Sequence, residues 1–148
     1  MTVLPDPKFL RAHGALLADS HRRLVGRDIS VPPDALYDAP FALVSHGTEA
    51  DPVFNYANRH AQQVFGYDWA TFVTLPSRLS ARAPERDERA RLLEQVSRDG
   101  YIPDYSGVRV RADGRLFRIR RATVWNVIDE AGVLRGQAAL FSDIEELS

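Results

Sequence analysis

The chain has 148 residues, 45% of them apolar, and a formal net charge of −1. That length suits one domain with one core, and the composition is that of a globular rather than a disordered protein. The near-neutral balance offers no electrostatic footing for nucleic acid, and the absence of cysteine excludes a disulfide framework, thiolate zinc, iron–sulfur clusters and thiol catalysis. Apolar runs such as Phe41-Ala-Leu-Val44 are too short to cross a bilayer. No basic segment followed by an apolar stretch lies within Met1 to Arg11, so no secretory signal is read and a cytoplasmic address is expected.

In chain order, Asp6 to Gly26 reads as a helix, with Asp6 as cap, Pro7 at the first helical position and Gly26 as stop. Leu10, Leu17 and Leu24 fall seven apart, an apolar stripe too short for a coiled coil, which either packs on the domain or pairs with a second copy. Asp28 to Pro40 holds three prolines and reads as a connector. The N-terminal helix and connector (residues 1–35) are accordingly separated from a domain at residues 36–148.

Phe41 to Ser45 and Val53 to Tyr56 read as short strands, with His46 to Pro52 as the turn between them. Asn58 caps a helix that carries Ala61, Val64 and Phe65 on one side and stops at Gly66; Asp68 caps a further turn to Phe72. Pro76 to Pro84 is loop-like. Pro84 to Asp99 is a charged amphipathic helix with Leu92, Leu93 and Val96 inward, its arginines and glutamates read as a solvated face.

Tyr105 to Arg111, Arg115 to Ile128 and Val133 to Phe141 then form three strands, the first two joined through Asp113-Gly114, a strong hairpin signal. Two short strands, small helices and an antiparallel meander make an α+β fold: one antiparallel sheet of about five strands with helices on one face, plus the N-terminal helix. Strict alternation puts Tyr105, Gly107, Arg109 and Arg111 on one face. On the long strand it groups Phe117, Ile119, Arg121, Thr123, Trp125 and Val127 against Leu116, Arg118, Arg120, Ala122, Val124 and Asn126. Both groups mix apolar and charged residues, so periodicity does not tell which is buried.

Particular residues sharpen this order of elements. Phe54-Asn-Tyr56-Ala-Asn58 followed by Phe65-Gly-Tyr67, Asp113-Gly114 ahead of the long strand, and the ending Phe141-Ser-Asp143-Ile-Glu145-Glu146 together resemble the PAS fold; Glu145 stands where the exit motif has threonine. Within that superfamily, Leu75-Pro-Ser-Arg-Leu-Ser80, Asp104-Tyr-Ser-Gly-Val-Arg109, Ala122-Thr-Val-Trp-Asn126 and Gly136-Gln-Ala138 are similar to the MEKHLA domain of the stand-alone bacterial type, from about Leu17 to Ser142. The resemblance implies a sensory or dimerisation-control module. As no kinase, cyclase or helix-turn-helix region is read in the sequence, the signal is expected to pass to a separate partner.

No nucleotide-binding, nucleophile-elbow or metalloprotease motif occurs, and His13, His21, His46 and His60 lack metal-ligand spacing, so no catalytic or metal site is read. Among the cofactors of PAS domains, a flavin–cysteinyl adduct and a cysteine-tethered chromophore fail for want of cysteine. A haem ligand on the central helix fails because no histidine follows His60. Non-covalent flavin or another small molecule stays open. The candidate ligand set is Tyr105, Ser106, Arg109, Arg118, Trp125 and Gln137 on the meander, with Ser77 and Arg78 in the loop that borders the PAS pocket. Arginine inside a site favours a planar anion, so a small anionic or aromatic metabolite is expected. The competing assignment pairs these arginines with carboxylates on the outer sheet face and places Trp125 in the core. Two further functions compete: a ligand-free interaction module that dimerises through the leucine stripe of the first helix and the sheet face, and a small enzyme using Asp104 with Tyr105 as an acid–base pair.

Overall fold

The computed structural model describes residues 4–147; residues 1–3 and 148 of the two predicted spans lie outside the described residues. Helix α1 runs Pro7–Val25, with the Asp6 carboxylate accepting from the Lys8 N–H at 2.9 Å and Gly26 turning left-handed at φ +87°. After a 3₁₀ turn at Pro33–Ala35 come β1 (Ala42–His46), β2 (Phe54–Ala57), α2 (Arg59–Phe65) and α3 (Trp69–Phe72). A second 3₁₀ turn at Ser77–Ser80 leads into α4 (Ala83–Asp99), then β3 (Tyr101–Val110), β4 (Leu116–Ile128), β5 (Leu134–Phe141) and β6 (Asp143–Glu146). The strands form one antiparallel sheet in the order β2-β1-β5-β4-β3, with β6 pairing β4.

Three differences from the sequence reading have physical causes. His46 belongs to β1 rather than to the following turn. Strand β3 begins four residues early, at Tyr101: Pro103 is tolerated because β3 is an edge strand, where a missing N–H breaks no central ladder. Strand β6 has little apolar alternation to announce it; it is held to β4 and its neighbour by ion pairs from Arg118 to Glu145 at 2.6 Å, Arg120 to Asp143 at 2.8 Å, and Arg111 to Glu146.

Helices α2, α3 and α4 cover one face of the sheet and α1 the other. On the α1 face, Leu17 and Ile29 pack with Leu43, Trp125 and Val127 in one cluster, so the segments on either side of residue 35 share a core. Leu17 is 0% exposed. Of the leucine stripe of α1, Leu17 is therefore spent within the protomer, while Leu10 and Leu24 are half-buried against the same cluster. The end of β4 is pinned to α1 by Ser20, whose Oγ donates to the Ile128 carbonyl at 2.7 Å and accepts from the Ile128 N–H at 2.9 Å.

Asn58 joins the connector, β1 and α2. Its side chain is 0% exposed. Its Oδ1 accepts from the N–H groups of Leu43 and Ala61, each at 3.0 Å, and its Nδ2 donates to the carbonyls of Leu36 at 3.0 Å and Phe41 at 2.8 Å. A side chain that satisfies four buried backbone groups is irreplaceable by any apolar residue.

Pairing of β3 with β4 runs from Ile102–Val124 to Tyr105–Ala122 and then to Gly107–Ile119. One extra residue sits in β3 across the first interval and one in β4 across the second. At those bulges lie Asp104 (φ +58°) and Arg121 (φ +56°), the non-glycine residues with positive φ among those described. The bulge at Arg121 reverses the phase of β4. Phe117, Ile119, Ala122 and Val124 face α2–α4, whereas Trp125 and Val127 face α1. The strict grouping of Phe117 with Trp125 is thereby corrected, and its mixed faces are explained.

Two predictions follow from this packing. Asn58→Ala strands two N–H and two carbonyl groups and removes a helix cap, and is expected to lower stability by roughly 3 kcal/mol in urea denaturation. His13 sits between Phe9 and Tyr56, stacked on both, and its Nε2 pairs with Ser45 Oγ at 2.8 Å. Burial pushes its pKa from 6.5 down to about 4. Between those values the unfolded chain binds a proton that the folded chain does not, so stability rises with pH across this window and falls as pH drops from about 6.5 to about 4. Melting temperatures across pH 4–7 should show that slope, and His13→Asn should make it shallower without abolishing it, because His21 and His46 are shifted in the same sense.

Candidate functional site

Between the inner sheet face and α4 lies a cavity of about 60 Å³. One wall is apolar, made by Phe54, Phe65, Ile119 and Ala122. The rest is polar: His46 from β1, Ser80, Arg89 from α4, Tyr105 and Arg109 from β3, and Gln137 from β5. No aspartate or glutamate among the described residues lines it.

Arg109 is buried, and donates from Nη1 to the Val108 carbonyl at 2.8 Å and from Nη2 to the Tyr105 hydroxyl at 3.2 Å, its guanidinium lying 5.6 Å from the Tyr105 ring centroid. Gly107, between the two on the same face, makes this possible: a Cβ there would collide with the Tyr105 hydroxyl. The Tyr105 hydroxyl donates to Glu88 at 3.0 Å, and burial raises its pKa. Gln137 donates from Nε2 to the Leu93 carbonyl at 3.0 Å and to Asn126 Oδ1 at 3.2 Å, tying α4 to the sheet.

Arg89 is the unusual member. It is 9% exposed and makes no hydrogen bond or ion pair with any described residue. Burial, reinforced by the nearby charge of Arg109, lowers its pKa to about 10, which still leaves it a cation at neutral pH. Two buried guanidinium groups thus share a cavity without a lining carboxylate, an arrangement that a folded chain does not adopt for stability. His46 adds an unfilled acceptor. Its Nδ1 donates to the Gly47 carbonyl at 3.0 Å, burial lowers its pKa, and its Nε2 is buried without a partner.

Of the eight residues read from the sequence, Tyr105, Arg109 and Gln137 meet in this cavity. The other five lie elsewhere. Ser106 is exposed, Arg78 pairs with Asp51 at 3.2 Å on the surface, and Ser77 is buried at the start of the 3₁₀ turn, its carbonyl accepting from Ser80 Oγ at 2.7 Å. Arg118 pairs with Glu145 on the sheet surface, and Trp125 is core beneath α1. Asp104 is exposed in its bulge while Tyr105 lines the cavity, so the two do not form an acid–base pair. Arg89 was hidden by the charge of α4, yet it lies on the Leu92 and Val96 stripe, three and seven residues before them. Among the described residues no cluster of metal-binding side chains occurs, and no helix is long and apolar enough to cross a membrane.

Compared with known families, residues 11–146 match the MEKHLA domain. The chain belongs to the MEKHLA domain family. Solved structures similar to this MEKHLA domain are PAS and light-oxygen-voltage domains. One is the PAS domain of a Colwellia psychrerythraea protein (TM-score 0.63, 12% identity, 76% of this chain and 91% of that one). Another is the light-state dimer of the fungal blue-light photoreceptor Vivid (TM-score 0.63, 17% identity, 88% and 93%). A third is the PAS domain, in complex with ethanol, of a LuxR-family transcriptional regulator from Burkholderia thailandensis (TM-score 0.54, 24% identity, 76% and 94%). The curated proteins contain no match. The fold is therefore that of PAS and light-oxygen-voltage sensory domains.

Replacing Arg89 by methionine exchanges an uncompensated buried charge for apolar atoms of similar length. The Arg89→Met variant is expected to be more stable than the ligand-free wild type by about 1–3 kcal/mol in chemical denaturation. A loss of stability would mean that the guanidinium is already compensated in the folded protein.

Proposed function

We propose that this MEKHLA domain is a sensory module that binds a small anion in the cavity between α4 and the sheet and passes the signal to a separate partner. The observation that carries the reading is Arg89, a buried cation without a partner, facing the same space as Arg109. Low dielectric strengthens the attraction of this pair for an anion, and a guanidinium matches a carboxylate with two parallel donors. The cavity admits a ligand of roughly three to five non-hydrogen atoms. Ethanol, found with the Burkholderia thailandensis PAS domain, is of that size.

The small volume of this cavity, about 60 Å³ against ~300 Å³ or more for typical ligand pockets, favours a small ligand over a non-covalent flavin, and the chain lacks a cysteine for a photochemical adduct. The ligand-free dimerisation reading loses Leu17, which α1 buries fully against the sheet, while Leu10 and Leu24 are half-buried in the same cluster. The acid–base reading loses its pair, because Asp104 is outside the cavity.

The test is native mass spectrometry of the purified protein beside Arg89→Met. A low-mass non-covalent adduct on the wild type, absent from the variant, is the expected result and gives the ligand's mass. An adduct retained undiminished by Arg89→Met would sink the anion reading.

A further inference from the structure

We infer that the ligand of this cavity is a short-chain aliphatic monocarboxylate, on the scale of acetate or propionate, held through its carboxylate by Arg89 with its hydrocarbon end on the apolar wall. The inference rests on the anion reading above and adds to it which anion the cavity selects.

The free donors decide where the negative charge goes. Arg89 is 9% exposed and has no hydrogen-bond partner among the described residues, yet its guanidinium is not sealed off. The unpartnered side-chain nitrogens sealed within the described residues are His46 Nε2, Arg111 Nε and Trp125 Nε1, and none belongs to Arg89. Its free N–H groups therefore open onto space, and the space that Arg89 lines is the cavity. Other lining donors already have acceptors. Ser80 donates to the Ser77 carbonyl at 2.7 Å, Tyr105 to Glu88 at 3.0 Å and Gln137 to the Leu93 carbonyl at 3.0 Å. Both Nη atoms of Arg109 bond within β3, to the Val108 carbonyl and the Tyr105 hydroxyl. The cavity thus combines free donors at Arg89, with the charge of Arg109 nearby, and a wall that includes Phe54, Phe65, Ile119 and Phe141.

That combination selects chemically. Phosphate, sulfate and nitrate spread charge over every oxygen, so seating one at Arg89 turns a charged oxygen toward apolar atoms with no donor to meet it. A dicarboxylate does the same with its second carboxylate. A monocarboxylate confines its charge to the two oxygens that match the parallel N–H groups of a guanidinium, and presents only hydrocarbon to the wall. The volume of about 60 Å³ limits that hydrocarbon to a methyl or ethyl group.

The experiment titrates the isotope-labelled wild type with sodium acetate, propionate, valerate and nitrate, following the amide NMR shifts of Ile119 and Ala122. Acetate and nitrate are planar monoanions of similar shape, differing in whether a methyl group or an oxygen meets the wall. Propionate is expected to bind about fourfold more tightly than acetate, the contribution of one buried methylene, and acetate more tightly than nitrate. Valerate overfills the space and should bind more weakly than propionate. In Arg89→Met, acetate and propionate should both weaken about tenfold or more, through loss of hydrogen bonds to a charged group. Nitrate binding the wild type as tightly as propionate, and weakened by Arg89→Met, would overturn the monocarboxylate inference and leave the anion reading standing. Affinity still rising at valerate would overturn the short-chain limit, again without touching that reading. No shift with any probe, or carboxylate binding undiminished in Arg89→Met, would overturn both. The ranking of probes on the wild type needs no variant to fold.

Discussion

Strand β4 must bury apolar side chains on both faces of the sheet, and the two bulges that allow it set the position of almost everything else. A strict two-residue period over thirteen residues would commit Phe117, Ile119, Trp125 and Val127 to a single side. With Arg121 in a left-handed conformation, the first pair joins the core under α2–α4 and the second the core under α1. A lone bulge would throw β3 out of register for its whole length. The compensating bulge at Asp104 restores it, and between the two Tyr105 is paired with Ala122, at the cavity. Both positions are exposed, so their unfavourable φ values are offset by what the bulges permit in the interior rather than by local contacts.

The interior so formed is tightly packed where it is apolar and unbalanced where it is charged. Most arginines of this chain meet carboxylates on the surface, as Arg59 does with Asp38 and Arg135 with Asp129. Arg89 and Arg109 do not, although glutamates stand close by: Glu85 is engaged by Arg82, and Glu88 by the Tyr105 hydroxyl. Local rules of stability are commonly broken at functional sites, and here the two buried guanidinium groups without a carboxylate meet in one cavity.

Much of this architecture is legible in the amino-acid order. Asp6, Asn58 and Asp68 announce their helices because a side-chain oxygen at a helix start has one geometrical use, and each caps as expected. Asp113-Gly114 marks its hairpin for the same kind of local reason. The site was legible only in part, because cavities are made by long-range pairing. Tyr105 and Arg109 could be read together since a strand places them two positions apart on one face. Trp125 and Arg118 could not be excluded, because a bulge inverts the face and no residue in the sequence declares one; arginine at a left-handed position is a poor signal. Arg89 looked like one charge among many on α4, and only its phase with Leu92 and Val96 separates it from the solvated ones. His46 fell outside a strand predicted one residue too short.

The placement of the two tryptophans gives the molecule a built-in optical partition. Trp125 lies beneath α1, edge-on to His21 at 4.9 Å, and Trp69 packs against Phe9, Tyr37 and Tyr56 on the same side. Neither lines the cavity. Emission from Trp125 therefore watches the docking of α1 from the face of the sheet opposite the cavity. A change in Trp125 emission when the cavity fills must have crossed the sheet, whereas Trp69 can also respond through α3, whose Phe72 packs against the cavity-lining Phe54 and Phe65.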